Sequence, residues 1–408
     1  MTYDLIVVGG GIGGSALSIV MARAGAKVLL LEQSEVFEDR VRGEWIAPWG
    51  VKEVQRLGLY DLLRGAGGHH IATHVTYDET RSAEASEAEP LPLAIFAEGV
   101  PGPLCLGHPR HCQTLFDEAV RAGVTALRGA QVQSVTAGAS PSVTWRDDAG
   151  EHTATARLLV GADGRASFVR ESLGVPLHQD PPHHMFAGLL VEDVADWQST
   201  RQTIGTEGRF GFLTFPQGEG RVRLYGSFPI EERRRFTGPG GIQAFLDAFR
   251  MGCAPENRRI AESRPAGPLL SYFNNDAWTD EPYAEGAVLV GDAGGWNDPI
   301  IGQGLSITYR DVRMVSDILK AGDWSKAAFA PYGEERAERL RRLRFAAAMT
   351  SALEAEFGPM AAERRRRVHA AAAKDPSYRA HGLAVMAGPE SLPPEVFTPE
   401  HRARVLGA

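Results

Sequence analysis

The sequence predicts an α/β protein in which a domain built on a parallel βαβ unit is interleaved with an antiparallel-sheet domain and followed by a helical region. Three observations carry this. The apolar strand Leu5–Val8 meets a glycine turn, a small-residue helix Ser15–Ala24 and a second apolar strand, Lys27–Leu31. Residues 176–276 change to aromatic-rich alternating segments separated by glycine turns, the period-two pattern of an antiparallel sheet. Beyond about Trp324 the pattern is almost wholly helical and rich in Ala, Arg and Glu.

The elements between these landmarks follow from local chemistry. Helical periodicity resumes from Val41 to Leu63, and Gly65–Gly68 breaks it. The acidic run Glu79–Glu89, closed by Pro90-Leu91-Pro92, reads as an exposed excursion. A helix over Arg110–Ala122 precedes short strands at Gln131–Thr136, Ser142–Trp145 and Thr153–Val160, with a hairpin signal at Asp147-Asp148-Ala149-Gly150. The sheet domain brings strands at Met185–Val191, Phe210–Phe215 and Arg221–Phe228. The chain then returns to a buried strand, Ala287–Val290, a glycine-rich loop and a helix starting near Gly304. The implied division is 1–78, 101–175 and 277–323 for the first domain, 79–100 for an excursion toward the second, 176–276 for the sheet domain and 324–408 for the helical region.

Composition narrows the partner classes. With 408 residues, 43% apolar, and a net charge of −8, the chain has an ordinary globular makeup and no global basic field. The clusters Glu334–Arg344 and Glu363–Arg367 interleave Arg with Leu, Ala and acidic residues at helical spacing and read as solvated faces, so nucleic acid is not an expected partner. Cys105, Cys112 and Cys253 lack the spacing of a zinc knuckle or a redox pair, and no metal is expected. The N-terminus runs directly into a strand without a basic n-region, and no run of about eighteen apolar residues occurs. The expectation is a cytoplasmic monomer or homodimer with no stable membrane insertion.

Gly9-Gly10-Gly11-Ile12-Gly13-Gly14 satisfies GxGxxG between a strand and a helix. Gly9 permits the tight turn, Gly11 lets backbone approach a pyrophosphate, and Gly14 allows close helix–strand packing, while the amides opening the helix at Ile12 face the phosphates. Glu32, followed by Gln33, ends the next strand about twenty residues on, where a carboxylate accepts hydrogen bonds from a ribose diol. A dinucleotide is therefore expected. Two later segments have related form: Gly161-Ala162-Asp163-Gly164-Arg165 follows Leu158–Val160, and Gly291-Asp292-Ala293-Gly294 follows Ala287–Val290. Each sets an aspartate where a strand ends and a glycine turn begins.

With these three motifs in this order, the sequence resembles the group A flavoprotein monooxygenases, the single-component FAD enzymes related to para-hydroxybenzoate hydroxylase, over at least residues 1–350. The resemblance implies a Rossmann-type FAD/NAD(P)-binding domain. In it the first motif holds the ADP moiety of FAD, and Asp163-Gly164 serves both FAD and NAD(P)H. The third motif, from Gly291-Asp292-Ala293 through Pro299 and Gly302-Gln303-Gly304-Leu305, holds the ribityl chain and flavin ring. Asp292 is suited to accept from ribityl hydroxyls, and a helix opening at Gly302–Leu305 favours negative charge on a reduced flavin. The implied reaction is reduction of FAD by NAD(P)H, addition of O₂ to give a C4a-hydroperoxide, and transfer of its terminal oxygen to an aromatic or polyketide-like small molecule. One departure stands out: Gly294-Gly295-Trp296-Asn297-Asp298-Pro299 occupies the place where many members have Ala-His after Gly-Asp. The Ala-Gly pair there also resembles the geranylgeranyl reductase branch of the superfamily. Two rivals thus stay open, an FAD-dependent reductase or dehydrogenase of that type and a non-catalytic binding or escort protein that keeps the fold.

By the same resemblance Arg42 contacts FAD near its pyrophosphate, Arg40 serves NAD(P)H, and Arg110 reaches the FAD phosphates. Strand alternation puts residues 221, 223 and 225 on one face. Arg223 and Tyr225 match residues that reach flavin and substrate; the alternative is a pair on an ordinary exposed sheet. The backbone around Pro299 is expected to face the flavin and position a substrate hydroxyl. The preceding strand brings Phe210, Phe212, Leu213 and Phe215, and no nearby arginine is placed to grip a carboxylate. A hydrophobic substrate, contacted by Phe212, Phe215, Arg223 and Tyr225, is expected with O₂. His183 and His184 read as loop or partly buried histidines rather than a catalytic base.

Overall fold

The computed structural model describes residues 2–407 except 195, 196 and 198. At the centre of the first sheet, Thr2–Val8 pairs in parallel with Gly150–Gly161 on one side and Val28–Leu31 on the other. The strand order is Tyr283–Ala284, Ala287–Leu289, Gly150–Gly161, Thr2–Val8, Val28–Leu31 and Thr125–Leu127, parallel except at the first, hairpin-paired member. Strands covered on both faces need apolar side chains on both, which explains the unbroken, fully buried VLLL of residues 28–31. Leu5 and Val7 pack with the helices Ile12–Arg23, His108–Arg121 and Gly304–Ala321, while Ile6 and Val8 pack with Val143 and Trp145 of an antiparallel hairpin. All three aspartate or glycine motifs leave the carboxyl ends of these parallel strands, so one edge of the sheet collects them.

The second sheet runs Arg264–Pro265, His184–Glu192, Arg221–Phe228, Phe210–Gly218, Arg201–Glu207, Thr73–Asp78 and Leu91–Pro92, with Leu270–Asn274 also paired to His184–Glu192. It is antiparallel except where Arg201–Glu207 meets Thr73–Asp78. That parallel pair corrects the boundary read from the acidic run: the chain already enters this sheet at Thr73, before residue 79. The acidic run itself is a short helix, Ala83–Glu87, whose Ser82 hydroxyl caps the amide of Ala85.

The helix expected from Val41 begins later. Val41 and Gly43 have φ of 54° and 74°, which end helical continuity, and Trp45–Ile46 is a short strand. Helix starts only at Pro48, where a proline tolerates the first turn. The tail is helical as expected, over Ala330–Thr350, Pro359–Ala372, Ala380–Ala387 and Pro399–Leu406. Among the described residues no helix is long and apolar enough to cross a membrane.

Candidate active site

A cavity of about 680 Å³ opens at the sheet edge that collects the motifs. Gly9, Gly11, Ile12, Glu32, Gln33, Arg40, Arg42, Asp163, Asp292, Pro299, Gly302, Gly304 and Leu305 line it. Gly14 lies behind, where a Cβ would stand 1.9 Å from the Gly9 carbonyl oxygen; its missing side chain lets the helix sit on the turn. A Cβ on Gly11 would meet nothing within 4 Å, so that position is open for a ligand. Neither Ile12–Arg23 nor Gly304–Ala321 has a side-chain cap, which leaves first-turn amides and the positive dipole ends available at the cavity.

The carboxylates divide by what already holds them. Glu32 is buried, and its two oxygens accept from the Gly10 amide at 2.7 Å and the Ser34 amide at 2.8 Å, so it braces the glycine turn as well as lining the cavity. Asp163 lines the cavity while accepting from the Ser167 hydroxyl at 2.5 Å and the Val169 amide at 3.0 Å, and burial pushes its acid up. Asp292 is different. Its side chain is 34% exposed and, among the described residues, its one side-chain ion pair is with Arg165, at 3.2 Å, leaving acceptor capacity toward the cavity.

The Arg40–Arg42 loop is set by a strained residue. Val41, fully buried at φ 54°, packs where a Cβ on Gly188 would come within 2.3 Å of its methyl group, and its amide donates to Asp39 at 2.8 Å. Arg40 lies exposed on the cavity rim, whereas Arg42 is half-buried. Among the described residues Arg42 makes no ion pair within 4 Å, and burial followed by repulsion from Arg165 lowers its proton affinity. An anion between Arg42 and Arg165 would relieve both, so this part of the cavity fits a pyrophosphate beside the open helix end.

Three expected contacts lie elsewhere. Arg110 is exposed with its guanidinium against Gly67, because His108 and Cys112, one helical turn apart, take the cavity-facing side of that helix. Arg223 is 1% exposed and outside the cavity lining; Glu44 grips it at 2.5 and 2.8 Å and Asp39 at 2.7 Å. It is neither an exposed sheet arginine nor a lining residue. Phe212 packs with Tyr77 and Phe249 in the core behind the sheet. An odd spacing separates it from Phe215, so the two point to opposite faces; Leu213, Phe215 and Tyr225 line the cavity.

His184 is buried, its Nε2 3.0 Å from the Asn274 amide nitrogen, and burial pushes it down to about 3. It lies beside Asp298, which burial pushes up to about 7 and which caps the Ile300 amide at 2.9 Å, fixing the turn that presents Pro299.

Other lining residues were not singled out from the sequence. Trp45 donates to Gln202 at 2.9 Å, and the Gln202 amide donates to His74 Nδ1 at 3.1 Å. His74 then gives its Nε2–H to Thr76 at 3.0 Å and stays neutral, burial holding it near 4. Thr350, Gly382, Val385 and Met386 come from the helical tail. Gln303, the middle residue of Gly302-Gln303-Gly304, accepts from Trp49 at 2.8 Å and donates to the Val385 carbonyl at 3.1 Å. The Gly294-Gly295 departure also finds its reason in packing. Buried Arg336 donates to the carbonyls of Gly291, Gly294 and Gly295 at 2.7–3.1 Å, and a Cβ on Gly295 would stand 2.5 Å from the Ala277 oxygen.

Residues 2–345 match the family model described as FAD binding domain. The chain belongs to this FAD-binding family. Curated members of similar sequence include squalene monooxygenase of Mus musculus, 25% identical over 323 residues covering 78% of this chain and 54% of that protein. Another is 6-methylpretetramide 4-monooxygenase of Streptomyces rimosus, 28% identical over 343 residues covering 78% and 75%. The chain spans about half the length of the squalene monooxygenases it matches. Among solved structures, p-nitrophenol 4-monooxygenase PnpA from Pseudomonas putida DLL-E4 shares the fold at TM-score 0.80 and 18% identity over 95% of this chain and 99% of that one. A ternary complex of aklavinone-11 hydroxylase with FAD and aklavinone gives 0.71 and 21% over 86% and 69%. The FAD-binding fold and the resemblance read from the three motifs are thus borne out.

For a chain of the FAD-binding family, Asp292→Ala is expected to weaken FAD binding roughly ten- to a hundredfold with little loss of stability, since a charge-assisted bond contributes about 1.5–3 kcal/mol. Glu32→Ala is expected to weaken FAD similarly and also to lower the denaturation midpoint, because the Gly10 and Ser34 amides lose their acceptor. Flavin titration and urea unfolding read the two effects separately; unchanged FAD affinity in both variants would contradict the assignment.

Proposed function

We propose that the protein is an FAD-dependent monooxygenase that uses NAD(P)H and O₂ to hydroxylate a neutral, hydrophobic, aromatic or polyketide-like small molecule. The observation that carries this reading is the division of one cavity at Pro299. On one side stand the glycine motifs, Arg42, Arg165 and Asp292; on the other, toward the second sheet and tail, stand Trp45, Phe186, Phe215 and Tyr225. The titratable side chains lining that part are already neutralised: the Glu44 carboxylate is paired with Arg223 and meets the Tyr225 hydroxyl at 3.5 Å, and buried His74 is uncharged, so no free cation faces it among the described residues of the sheet and tail.

Bound FAD supplies hydride acceptance and oxygen activation, and the protein supplies binding, orientation and water exclusion. The first-turn amides at Ile12 and Gly304 are suited to the pyrophosphate and to charge on the reduced ring, and Asp292 to ribityl hydroxyls. Arg40 on the rim is suited to meet NAD(P)H from solvent. Phe215 and Tyr225 give the substrate an aromatic wall, their rings 6.1 Å apart. An ionised carboxylate there without a paired cation would lose more in desolvation than the roughly 2–7 kcal/mol of a neutral polar group and would protonate instead. Neutral His74 and Gln202 offer polarity without charge, which suits a phenol or ketone oxygen. The reductase rival was motivated by Gly294-Gly295, and the Arg336 packing accounts for that pair without it.

The test is stoichiometric. Flavin-loaded protein given NAD(P)H, labelled O₂ and a neutral polycyclic phenol is expected to place one oxygen atom in product per NAD(P)H oxidised, with the second atom leaving as water. Substrate hydrogenation without O₂ uptake would establish the reductase instead. Tight coupling with a small hydroxybenzoate and none with polycyclic phenols would overturn the neutral-substrate reading.

A further inference from the structure

Residues beyond 345, where the family match ends, supply one wall of the cavity. On the helix Ala380–Ala387, Gly382, Val385 and Met386 stand at i, i+3 and i+4 and share the cavity-facing side. Leu383 is exposed. The wall is apolar: Val385 and Met386 pack in the core cluster that includes Phe186 and Leu213, and the nearby Thr350 hydroxyl is turned back to the Ala346 carbonyl at 2.9 Å. Its position is tied to the third motif, since Gln303 donates to the Val385 carbonyl at 3.1 Å and to the Ile301 carbonyl at 2.6 Å. The decisive feature is Gly382. A helix interior disfavours glycine, yet this one lines the cavity, and a Cβ there would meet nothing within 4 Å.

We infer that the helix Ala380–Ala387 is the size-selecting wall of the substrate space and that Gly382 keeps open the room a multi-ring neutral ligand occupies. This inference rests on the reading above in taking the uncharged part of the cavity for substrate. A Cβ at 382 meets no protein atom within 4 Å, so a side chain can start there without moving the helix backbone, and narrowing the pocket does not require unfolding the helix. The opposite wall is fixed by the sheet, so added volume at 382 falls on the ligand.

Flavin-loaded protein is titrated with 1,8-dihydroxyanthraquinone as a three-ring probe and phenol as a one-ring probe, following the flavin difference spectrum. The native chain is expected to bind the three-ring probe more tightly. Gly382→Leu is expected to weaken it about tenfold or more while leaving phenol and FAD affinities within about twofold. Gly382→Ala, which adds one methyl and favours the helix, is expected to fall between, and Leu383→Ala to match the native chain. Equal three-ring affinity in Gly382→Leu, parallel loss of FAD, or a native chain that does not bind the three-ring probe would each overturn the inference. If the probe effect is found but NAD(P)H yields no oxygenated product, the wall stands and the monooxygenase reading falls.

Discussion

Replacing Gly14 with alanine is expected to give protein that purifies without flavin. The new Cβ would lie 1.9 Å from the Gly9 carbonyl oxygen and 3.1 Å from a Val7 methyl, and neither neighbour is a flexible side-chain end. Helix Ile12–Arg23 must therefore move away from the turn that Gly9, at φ 101°, makes possible. Overpacking of this kind costs about 1–3 kcal/mol or more, and here the displaced atoms are those that should face the pyrophosphate. FAD affinity is expected to fall about a hundredfold or more, with a lower unfolding midpoint. Gly11→Ala is the informative companion. Its Cβ meets no protein atom within 4 Å, so the fold should keep its stability while the pyrophosphate loses its approach. Flavin absorbance per protein and urea denaturation measure both. Full flavin retention in either variant would contradict the phosphate assignment.

Arg336→Met is expected to cost about 3–5 kcal/mol, because removing one member of a buried ion pair leaves its partner desolvated and under-paired. Arg336 and Asp311 are 1% and 0% exposed, with 3.0 Å between Nε and the carboxylate. The same guanidinium holds three carbonyls of the loop carrying Asp292, so FAD affinity should fall with stability. Asp311 keeps Arg339, at 2.8 Å, and the Gly291 amide, at 2.9 Å, which favours a folded but weakened variant. Arg341→Met supplies the control: its bond to Glu338 is solvent-exposed and worth no more than about 1 kcal/mol. Denaturant unfolding of the two variants side by side decides the matter, and comparable small losses would mean that the buried network does not hold the loop.

Much of the fold was legible because its signals are local. A glycine that must take positive φ or admit a neighbouring backbone leaves a mark in the chain, and so does a strand buried on both faces. The three motifs, the central parallel strands and the change to period-two alternation are all of this kind. The strand Arg201–Glu207 was harder to read: Arg201, Thr203, Gly205 and Glu207 give it no clean apolar face, and its partner Thr73–Asp78 lies more than a hundred residues earlier.

The site was legible where backbone does the work and obscure where side chains choose among partners. Gly9, Gly11, Asp292 and Pro299 reach the cavity because strand ends and tight turns put them there. Arg223 could be placed on a strand face, but only the approach of Glu44 and Asp39 from the Arg40–Arg42 loop turns it into a buried brace. Phe212 and Phe215 differ by parity, which the chain itself contains, yet which parity faces the cavity depends on what packs behind the sheet.

The sequence by itself determined the FAD-binding family, the order of the motifs and the alternation of the second sheet, since each rests on residues close together in the chain. Tertiary structure alone decided that Arg110 turns to Gly67, that Arg336 underlies Gly294-Gly295, and that Gly382, Val385 and Met386 line the cavity. The physical reason is range. Backbone conformation is constrained by immediate neighbours, whereas burial, charge pairing and cavity shape arise only when segments far apart in the chain exclude water between them.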